Sequence, residues 1–354
     1  MDIQNTLNPM FQYASNYKFF SFKQSFSELK STQQNDKFLD AFLMQAQIKL
    51  FSGDETLLSD LEKAEKFDGM PKFPCLNSSW LPDSNNRFVV FKKTPGSLRH
   101  FLETLSLTKE QFYRWYGEAG VGMVNQVRSE ILYFWGCFDE AIGLAQQQYN
   151  NNESKSTDKM LSLYVLFRCY LATGAIKNAQ QSMLDIVRIS RNFPECIGSY
   201  QNIRNWANLT TGWSGDTPRF NCTTPGVMTP ILDDRLTAIR NGISRLSVLE
   251  EPFVEYAQDN YEEAYTVRQY YMDIFHAIYW FQSGYFQQAE SNFMRAYSIS
   301  LASGLAMPFV EYGKQMIPLL EHVKKSDASC SHDWIDMILS FAEQYEDSLN
   351  AYRA

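Results

Sequence analysis

The sequence contains few of the features that bind nucleic acids or cross membranes. Its 354 residues carry 32 basic and 40 acidic side chains, for a net charge of −8. The longest basic runs are the pairs Lys92-Lys93 and Lys324-Lys325, whereas phosphate binding needs clustered Lys and Arg. No window reaches the roughly 18 consecutive apolar residues of a transmembrane helix. The sequence therefore predicts no direct nucleic-acid binding and no membrane insertion.

Signals for export and for disulfide formation are also missing. The N-terminal stretch has no basic region followed by a continuous apolar segment, as a signal peptide would. The six cysteines are scattered and form no Cys-x-x-Cys pair, which is typical of reduced, mostly buried thiols in a long chain. These observations predict a cytoplasmic protein.

Catalytic and metal-binding motifs are absent as well. The sequence has no GxxxxGK[ST] phosphate loop, no HExxH and no GxSxG. Asp273 and His276 lie at i, i+3 and could share a metal, but a bundle site needs two Glu-x-x-His motifs. Cys330 and His332 could supply two zinc ligands, but no second pair with metal spacing exists. A packing or solvated histidine is the favoured interpretation, and we expect no enzyme, metal or cofactor.

The hydrophobic pattern indicates an all-α protein. Hydrophobic residues make up 45% of the chain and charged residues 20%, as in globular proteins, and the apolar period is close to 3.6 nearly everywhere. Residues 71–96 contain four prolines that interrupt any helix, and residues 210–230 contain three Pro, three Gly and six Thr. Both stretches are predicted to be irregular loops.

Three segments share a helical-hairpin template, in which an apolar helix, a glycine and a second apolar helix follow one another. Glycine can end the first helix in a left-handed turn, and a small residue five positions later lets the second helix approach closely. The first two glycines are 38 residues apart, slightly more than the tetratricopeptide unit of about 34. The glycine–alanine pairs are Gly136 and Ala141, Gly174 and Ala179, and Gly284 and Ala289.

The repeats predict a tetratricopeptide-like superhelix of antiparallel helical pairs, formed by residues 1–354 as a single elongated domain. The glycine-rich stretch from Gly117 to Gly122 does not follow a strand, so it is predicted to be a turn before a helix that begins near Met123. The predicted parts are N-terminal helices at 1–70, a crossover loop at 71–96, hairpins at 97–209, a long loop at 210–230 and C-terminal hairpins at 231–354.

The concave surface of such a superhelix is the predicted binding site. The first helix of each hairpin lines it, so residues three, six, ten and thirteen before the turn glycine are expected to face inward. Aromatic side chains with a few polar anchors suit a small ligand or a peptide. Alternatively, Glu130 and Arg168, which are equivalent in adjacent hairpins, pair with each other across the inner surface. The candidate ligand-binding residues are Gln126, Glu130, Tyr133, Tyr164, Arg168 and Tyr271.

Three passages resemble one protein family. The passage SGLAMPFVEYGKQMIPLLEHV (303–323) is similar to the terminal segment of the helical sensor region of MalT-like, LuxR-type bacterial transcription regulators. YRWYGEAGVGMVNQVRSEILYFWGCFDEA (113–141) resembles the family's glycine-rich turn and Gly-x-x-x-x-Ala hairpin. SSWLPDSNNRFVVFKKTPGSL (78–98) resembles the extended stretch before it. Together these passages cover most of residues 75–325, in order.

The resemblance implies a signal-sensing function. In such a regulator, a small-molecule or peptide inducer that binds the superhelix would shift the parent protein toward an ATP-bound, oligomeric, DNA-binding state. Self-association or a regulatory protein would be further partners. The family's ATPase module and helix-turn-helix are not in this sequence, so the expected function is sensing on behalf of an output domain outside it. The alternative is a free-standing tetratricopeptide-like adaptor that binds a protein or peptide.

Overall fold

A computed structural model describes residues 118–211 and 266–354, except 152, 153, 155, 327 and 328, together with a few isolated positions before residue 118. All regular secondary structure in these ranges is helical, which confirms the predicted all-α class for the described part of the chain. The predicted N-terminal helices at 1–70, the crossover loop at 71–96 and residues 212–265 lie outside the described residues.

Five helices and one short turn make up the first described range. The chain runs through α1 (Glu118–Phe134), α2 (Phe138–Asn150), α3 (Ser156–Ala172), α4 (Ile176–Asn192), a 3-10 turn (Pro194–Cys196) and α5 (Ile197–Thr211). Helices α1, α2 and α3 each pack against the next one as antiparallel neighbours, whereas α4 and α5 make a smaller contact. The last helix includes Thr210 and Thr211, so it extends two residues into the stretch that was predicted to be a loop from about residue 210.

Five further helices make up the second described range. They are α6 (Thr266–Gln282), α7 (Phe286–Ser303), α8 (Met307–Val310), α9 (Gly313–Lys325) and α10 (His332–Arg353). The pair α6 and α7 forms the third predicted hairpin, and α9 packs against α10. No helix within the described ranges is long and apolar enough to cross a membrane.

Glycine ends the first helix of each predicted hairpin, as the template required. Gly136, Gly174 and Gly284 have φ angles of 77°, 71° and 82°, a left-handed region that only glycine enters without strain. At the first turn, the N–H of Cys137 donates to the carbonyl of Leu132 at 2.8 Å. Gly174 and Gly284 are followed by the same pattern, which satisfies carbonyls at the helix end.

The alanines five positions after these glycines lie at the helix contacts. Ala141, Ala179 and Ala289 are all fully buried, so a small side chain at this position permits the close approach of the paired helices. Met183 and Phe293, nine positions after their glycines, are buried in the same seams. The hairpin template is therefore confirmed in each of the three segments.

The glycine-rich stretch before α1 was predicted wrongly. Helix α1 begins at Glu118 rather than near Met123, so Gly120 and Gly122 are helical residues. The reason lies in packing: a Cβ atom on Gly122 would lie 2.4 Å from the side-chain nitrogen of Gln148 on α2. Gly122 thus allows α1 and α2 to pack closely. The prediction of a turn explained the glycines by local backbone conformation alone and did not include helix packing.

The loop after α7 joins the third hairpin to the first. The indole N–H of Trp135 donates to the carbonyl of Ser303 at 2.9 Å, and the N–H of Ala306 donates to the carbonyl of Phe134 at 2.9 Å. Helix α10 also packs against α3, α4 and α5. In a linear repeat array, each repeat contacts only its neighbours, and these additional contacts depart from that pattern. The described residues therefore show antiparallel helix pairs, whereas a regular superhelix remains a prediction.

We expect Gly284→Ala to destabilise the protein by about 1–2 kcal/mol, because an L-residue is strained in the left-handed conformation. The φ of Gly284 is 82° and no atom lies within 4 Å of its added Cβ, so conformational strain is the dominant effect. Urea unfolding measures the change.

Gly143→Ala is the matched control. Gly143 lies inside α2 with nothing within 4 Å of an added Cβ and no positive φ, so alanine should stabilise the helix by about 0.5–1 kcal/mol. Equal effects of the two substitutions would contradict the assignment of a left-handed turn at residue 284.

Candidate functional site

One face of α1 carries three of the predicted site residues. Gln126, Glu130 and Tyr133 are spaced at i, i+4 and i+7, which places them on one side of a helix. All three are buried. The side-chain amide of Gln126 donates to Oε1 of Glu130 at 2.8 Å, and Ser162 of α3 donates to Oε1 of Gln126 at 3.3 Å. This part of the predicted inner surface is therefore a polar seam between α1 and α3.

The other three predicted residues lie on the first helices of the next two hairpins. Tyr164 and Arg168 are one turn apart on α3, and Tyr271 is near the start of α6; all three are buried. Only 1% of the Arg168 side chain is exposed. A buried guanidinium needs a counter-charge within hydrogen-bonding distance, because an uncompensated buried charge is strongly destabilising.

Glu311 supplies that counter-charge. It follows the short helix α8, and its side chain is completely buried. Its Oε1 accepts hydrogen bonds from Arg168 Nη2 and from the Tyr133 hydroxyl, the latter at 2.6 Å. Its Oε2 accepts from the Tyr271 hydroxyl at 3.0 Å. One carboxylate therefore joins three of the six predicted site residues, from α1, α3 and α6.

Aromatic rings surround the Arg168 guanidinium. Its central carbon lies 3.8 Å from the ring centroid of Tyr133 and 5.0 Å from that of Phe134. The rings of Tyr164 and Trp206 lie 5.3 and 5.4 Å away. Such distances give favourable cation–π contacts, which are strongest where water is excluded.

The protonation states in this cluster follow from burial and charge. Burial raises the pKa of Tyr133 and Tyr271, the Glu311 carboxylate raises both further, and Arg168 opposes these effects. Both phenols therefore remain protonated donors at neutral pH. Burial alone would lower the pKa of Arg168, but the negative charge of Glu311 opposes this effect, so the net pKa is raised and the guanidinium remains charged.

Sequence reasoning found the donors of this cluster but missed its acceptor. The alternative prediction paired Arg168 with Glu130, whereas the ion pair of Arg168 is with Glu311 and Glu130 accepts from Gln126. A signal for Glu311 is present in the sequence, because it is the one charged residue in the run MPFVEYG. A carboxylate in an apolar run, like an arginine on an apolar helix face, suggests a buried partner.

Asp273, which was considered with His276 as a possible metal ligand, forms an ion pair with an arginine. Arg295 of α7 donates to Oδ1 of Asp273 from Nε at 3.0 Å and from Nη2 at 2.8 Å. Within the described residues, no group of three or more His, Cys, Asp or Glu side chains could hold a metal ion. Asp273 therefore anchors Arg295 between α6 and α7.

Comparisons with known proteins add nothing to this description of the site. No protein-family model matches the chain, and no curated protein is similar enough to it to count as a relative. The resemblance to MalT-like regulators therefore stays a prediction from the three passages, and a proposal of function rests on the residues themselves.

We expect Glu311→Gln to lower the free energy of unfolding by about 3–5 kcal/mol, because it leaves the buried Arg168 cation without a counter-charge. Adding Arg168→Met removes the second charge. The free energy of unfolding of the double variant should therefore fall by less than the sum of the decreases in the two single variants. A coupling energy of about 2–3 kcal/mol from chemical denaturation would measure the interaction.

Asp336→Asn is the surface control for this cycle. Asp336 pairs with Lys324, and 53% of its side chain is exposed, so its substitution should change the unfolding free energy by less than about 1 kcal/mol. Additive effects of the substitutions at Arg168 and Glu311 would contradict the buried pair.

We expect His276 to make the stability of the protein depend on pH. Burial, with a smaller contribution from Arg295, lowers its pKa from 6.5 to about 4. The unfolded chain therefore binds more protons between about pH 4 and 6.5, and stability falls as the pH falls through this range. We expect His276→Gln to reduce the loss by on the order of 2 kcal/mol, as measured by urea unfolding at several pH values.

Gly143→Ala, which removes no titratable group, is the control for this measurement. Its effect on the free energy of unfolding should be the same at every pH between about 4 and 6.5. If the slopes of wild type and His276→Gln coincide, desolvation does not lower the pKa of the partly buried His276, and the prediction is wrong.

Proposed function

We propose that this chain is the signal-sensing, ligand-binding helical region of a LuxR-type, MalT-like transcription regulator. In this proposal an inducer bound by the helical hairpins controls a DNA-binding output domain outside this sequence. The observation that carries it is the convergence of Tyr133, Arg168 and Tyr271, from the first helices of three hairpins, on a single buried point.

The arrangement of the helices supports a tetratricopeptide-like array as the scaffold of this function. The three hairpins share a left-handed glycine and a buried alanine, and the first helix of each contributes to the same cluster. In a superhelix of such pairs, the first helices would line one surface. An inducer that spans several hairpins would then stabilise one arrangement of them, which is how binding shifts a conformational equilibrium.

The buried polar side chains between α1 and α3 favour a role in ligand binding and not in helix packing alone. Gln126, Glu130 and Ser162 form buried hydrogen bonds where an apolar seam would serve a helix pair equally well. Buried polar and charged groups contribute little net stability compared with apolar residues of similar volume. A function that requires polar anchors in an apolar surrounding, such as ligand binding, accounts for their presence.

An adaptor that binds a protein partner is the second candidate. It is favoured by the exposed aromatic residues at the turn between α6 and α7. The side chains of Tyr285 and Phe286 are 54% and 48% exposed, and aromatic residues are enriched where proteins bind each other. A partner bound at this turn would leave the buried cluster unchanged.

A thermal-shift screen of sugars, nucleotides, small organic acids and short peptides tests the first proposal. An inducer that binds the folded chain should raise its melting temperature as its concentration increases. Tyr133→Phe removes one hydroxyl from the cluster, so it should raise the concentration for a half-maximal shift by roughly tenfold.

Tyr170→Phe is the matched control. Its half-buried hydroxyl accepts from the side chain of Gln146 at 2.9 Å, outside the cluster, so the dose response should match the wild type. Capture of a protein partner that depends on Tyr285 and Phe286, with no small-molecule shift at all, would favour the adaptor over the sensor.

A further inference from the structure

We infer that the Arg168 cluster is a carboxylate receptor, and that Glu311 occupies it as an internal stand-in for a carboxylate of the ligand. This inference rests on the proposed sensor function and names the chemical class of its inducer. The receptor consists of the Arg168 guanidinium and the hydroxyls of Tyr133 and Tyr271. A bound organic acid would take the position of the Glu311 carboxylate and release it.

The donors and the acceptor come from different kinds of structure. Tyr133, Arg168 and Tyr271 project from three long helices, so their relative positions are fixed by helix packing. Glu311 lies in a two-residue turn between the short helix α8 and α9. Tyr133 and Arg168 donate hydrogen bonds to Oε1 of the Glu311 carboxylate, whereas Tyr271 donates to Oε2. This geometry is complementary to a planar group with two oxygens.

Arg168 retains a donor that Glu311 does not use. Among the described residues, the buried Nε of Arg168 has no hydrogen-bond partner. A buried donor without a partner is unfavourable, and an arginine can bind a carboxylate through two parallel hydrogen bonds. Glu311 is tethered through its backbone and makes one such bond. A free carboxylate can adjust its position and use the Nε as well.

The buried charge of Arg168 requires that the ligand be negatively charged. The Arg168 side chain is fully surrounded by protein and four aromatic rings, so removing Glu311 alone would leave an uncompensated buried cation. A neutral ligand cannot offset that cost, whatever hydrogen bonds it makes. An anion that binds Arg168 directly exchanges one counter-charge for another.

The release of Glu311 can remain local. Phe309 is fully buried, and its ring packs against Tyr270, Phe293 and Trp334, so helix α8 is held in the core. Gly313 follows two residues after Glu311 and has a left-handed φ of 33°. Tyr312, between Glu311 and Gly313, is also buried and packs against Phe275. A change of conformation confined to Glu311 can withdraw the carboxylate while both apolar anchors stay in place.

The start of α9, directly after this turn, contacts the last helix of the chain. Glu346 of α10 accepts from the N–H of Lys314 at 3.3 Å, and Arg353 donates to Glu346 at 3.2 Å. Arg353 also donates to the carbonyl of Thr211 at the end of α5. In the proposed sensor, a movement of the turn at Glu311 would therefore reach α10.

Chemical rescue of Glu311→Ala tests the receptor, with sodium acetate and formate as the probes. The variant should melt below the wild type, and saturating acetate should raise its melting temperature by about 3 °C or more relative to chloride at equal ionic strength. If the variant is unfolded in chloride, refolding with rising acetate, followed by circular dichroism, is the expected result. No saturable response in either form would overturn the inference.

Two further variants make the rescue specific. Arg168→Met in the Glu311→Ala background should abolish the response to acetate, because the cation that binds it is gone. Glu290→Ala removes a partly exposed carboxylate that pairs with His322 at 2.9 Å, and acetate should have no more effect on it than on the wild type. Equal rescue of these variants would show a general salt effect and refute the receptor.

The inducer itself provides the second test. Any compound that shifts the melting temperature of the wild-type chain through Tyr133 should carry a carboxylate, and its methyl ester should bind at least tenfold more weakly. Binding should also increase hydrogen exchange of the Lys314 amide. A neutral inducer would overturn this inference and leave the sensor proposal intact. Acetate rescue without any inducer of the wild-type chain would refute the sensor, and with it the role of Glu311 as a stand-in for a ligand.

Discussion

The ion pair between Arg168 and Glu311 is the constraint on which the rest of the described structure depends. A guanidinium that is 1% exposed cannot lack a counter-charge, so helix α3 and the turn after α8 must stay in register although 143 residues separate them in sequence. The tyrosine hydroxyls of α1 and α6 bind the same carboxylate. One electrostatic requirement thus fixes the relative positions of three hairpins and the segment that follows them.

Aromatic packing supports this polar centre from both sides. Aromatic residues make up 15% of the sequence, and composition alone cannot separate packing from ligand binding. In the described residues, Tyr133 and Trp206 flank the Arg168 cation, whereas Phe309 and Trp334 hold the neighbouring segment in the core. The rings around the cation exclude water and strengthen the ion pair, because electrostatic interactions increase as the local dielectric falls.

Local features of the fold could be predicted from sequence, whereas distant contacts could not. The three hairpin turns follow from a glycine and an alanine five residues apart, and both act within one or two helical turns. The failure at Gly122 arose because its role depends on Gln148, in another helix. Tyr133, Arg168 and Tyr271 were predicted to face one surface from their helical positions. Their common acceptor, Glu311, could not be assigned, because helical periodicity contains no information about which distant carboxylate meets them.

In the proposed sensor, the position of Glu311 would determine how a signal leaves the site. The segment before it is anchored by Phe309, so a large movement would expose apolar surface at about 25 cal/mol per Å², and small rearrangements are favoured. The segment after it begins α9 at Gly313, directly against Glu346 of α10. A packed interface of this kind shifts between discrete arrangements instead of deforming gradually. Replacement of the Glu311 carboxylate by a ligand carboxylate at Arg168 would therefore shift α10 from one packing arrangement to another, as a molecular switch requires.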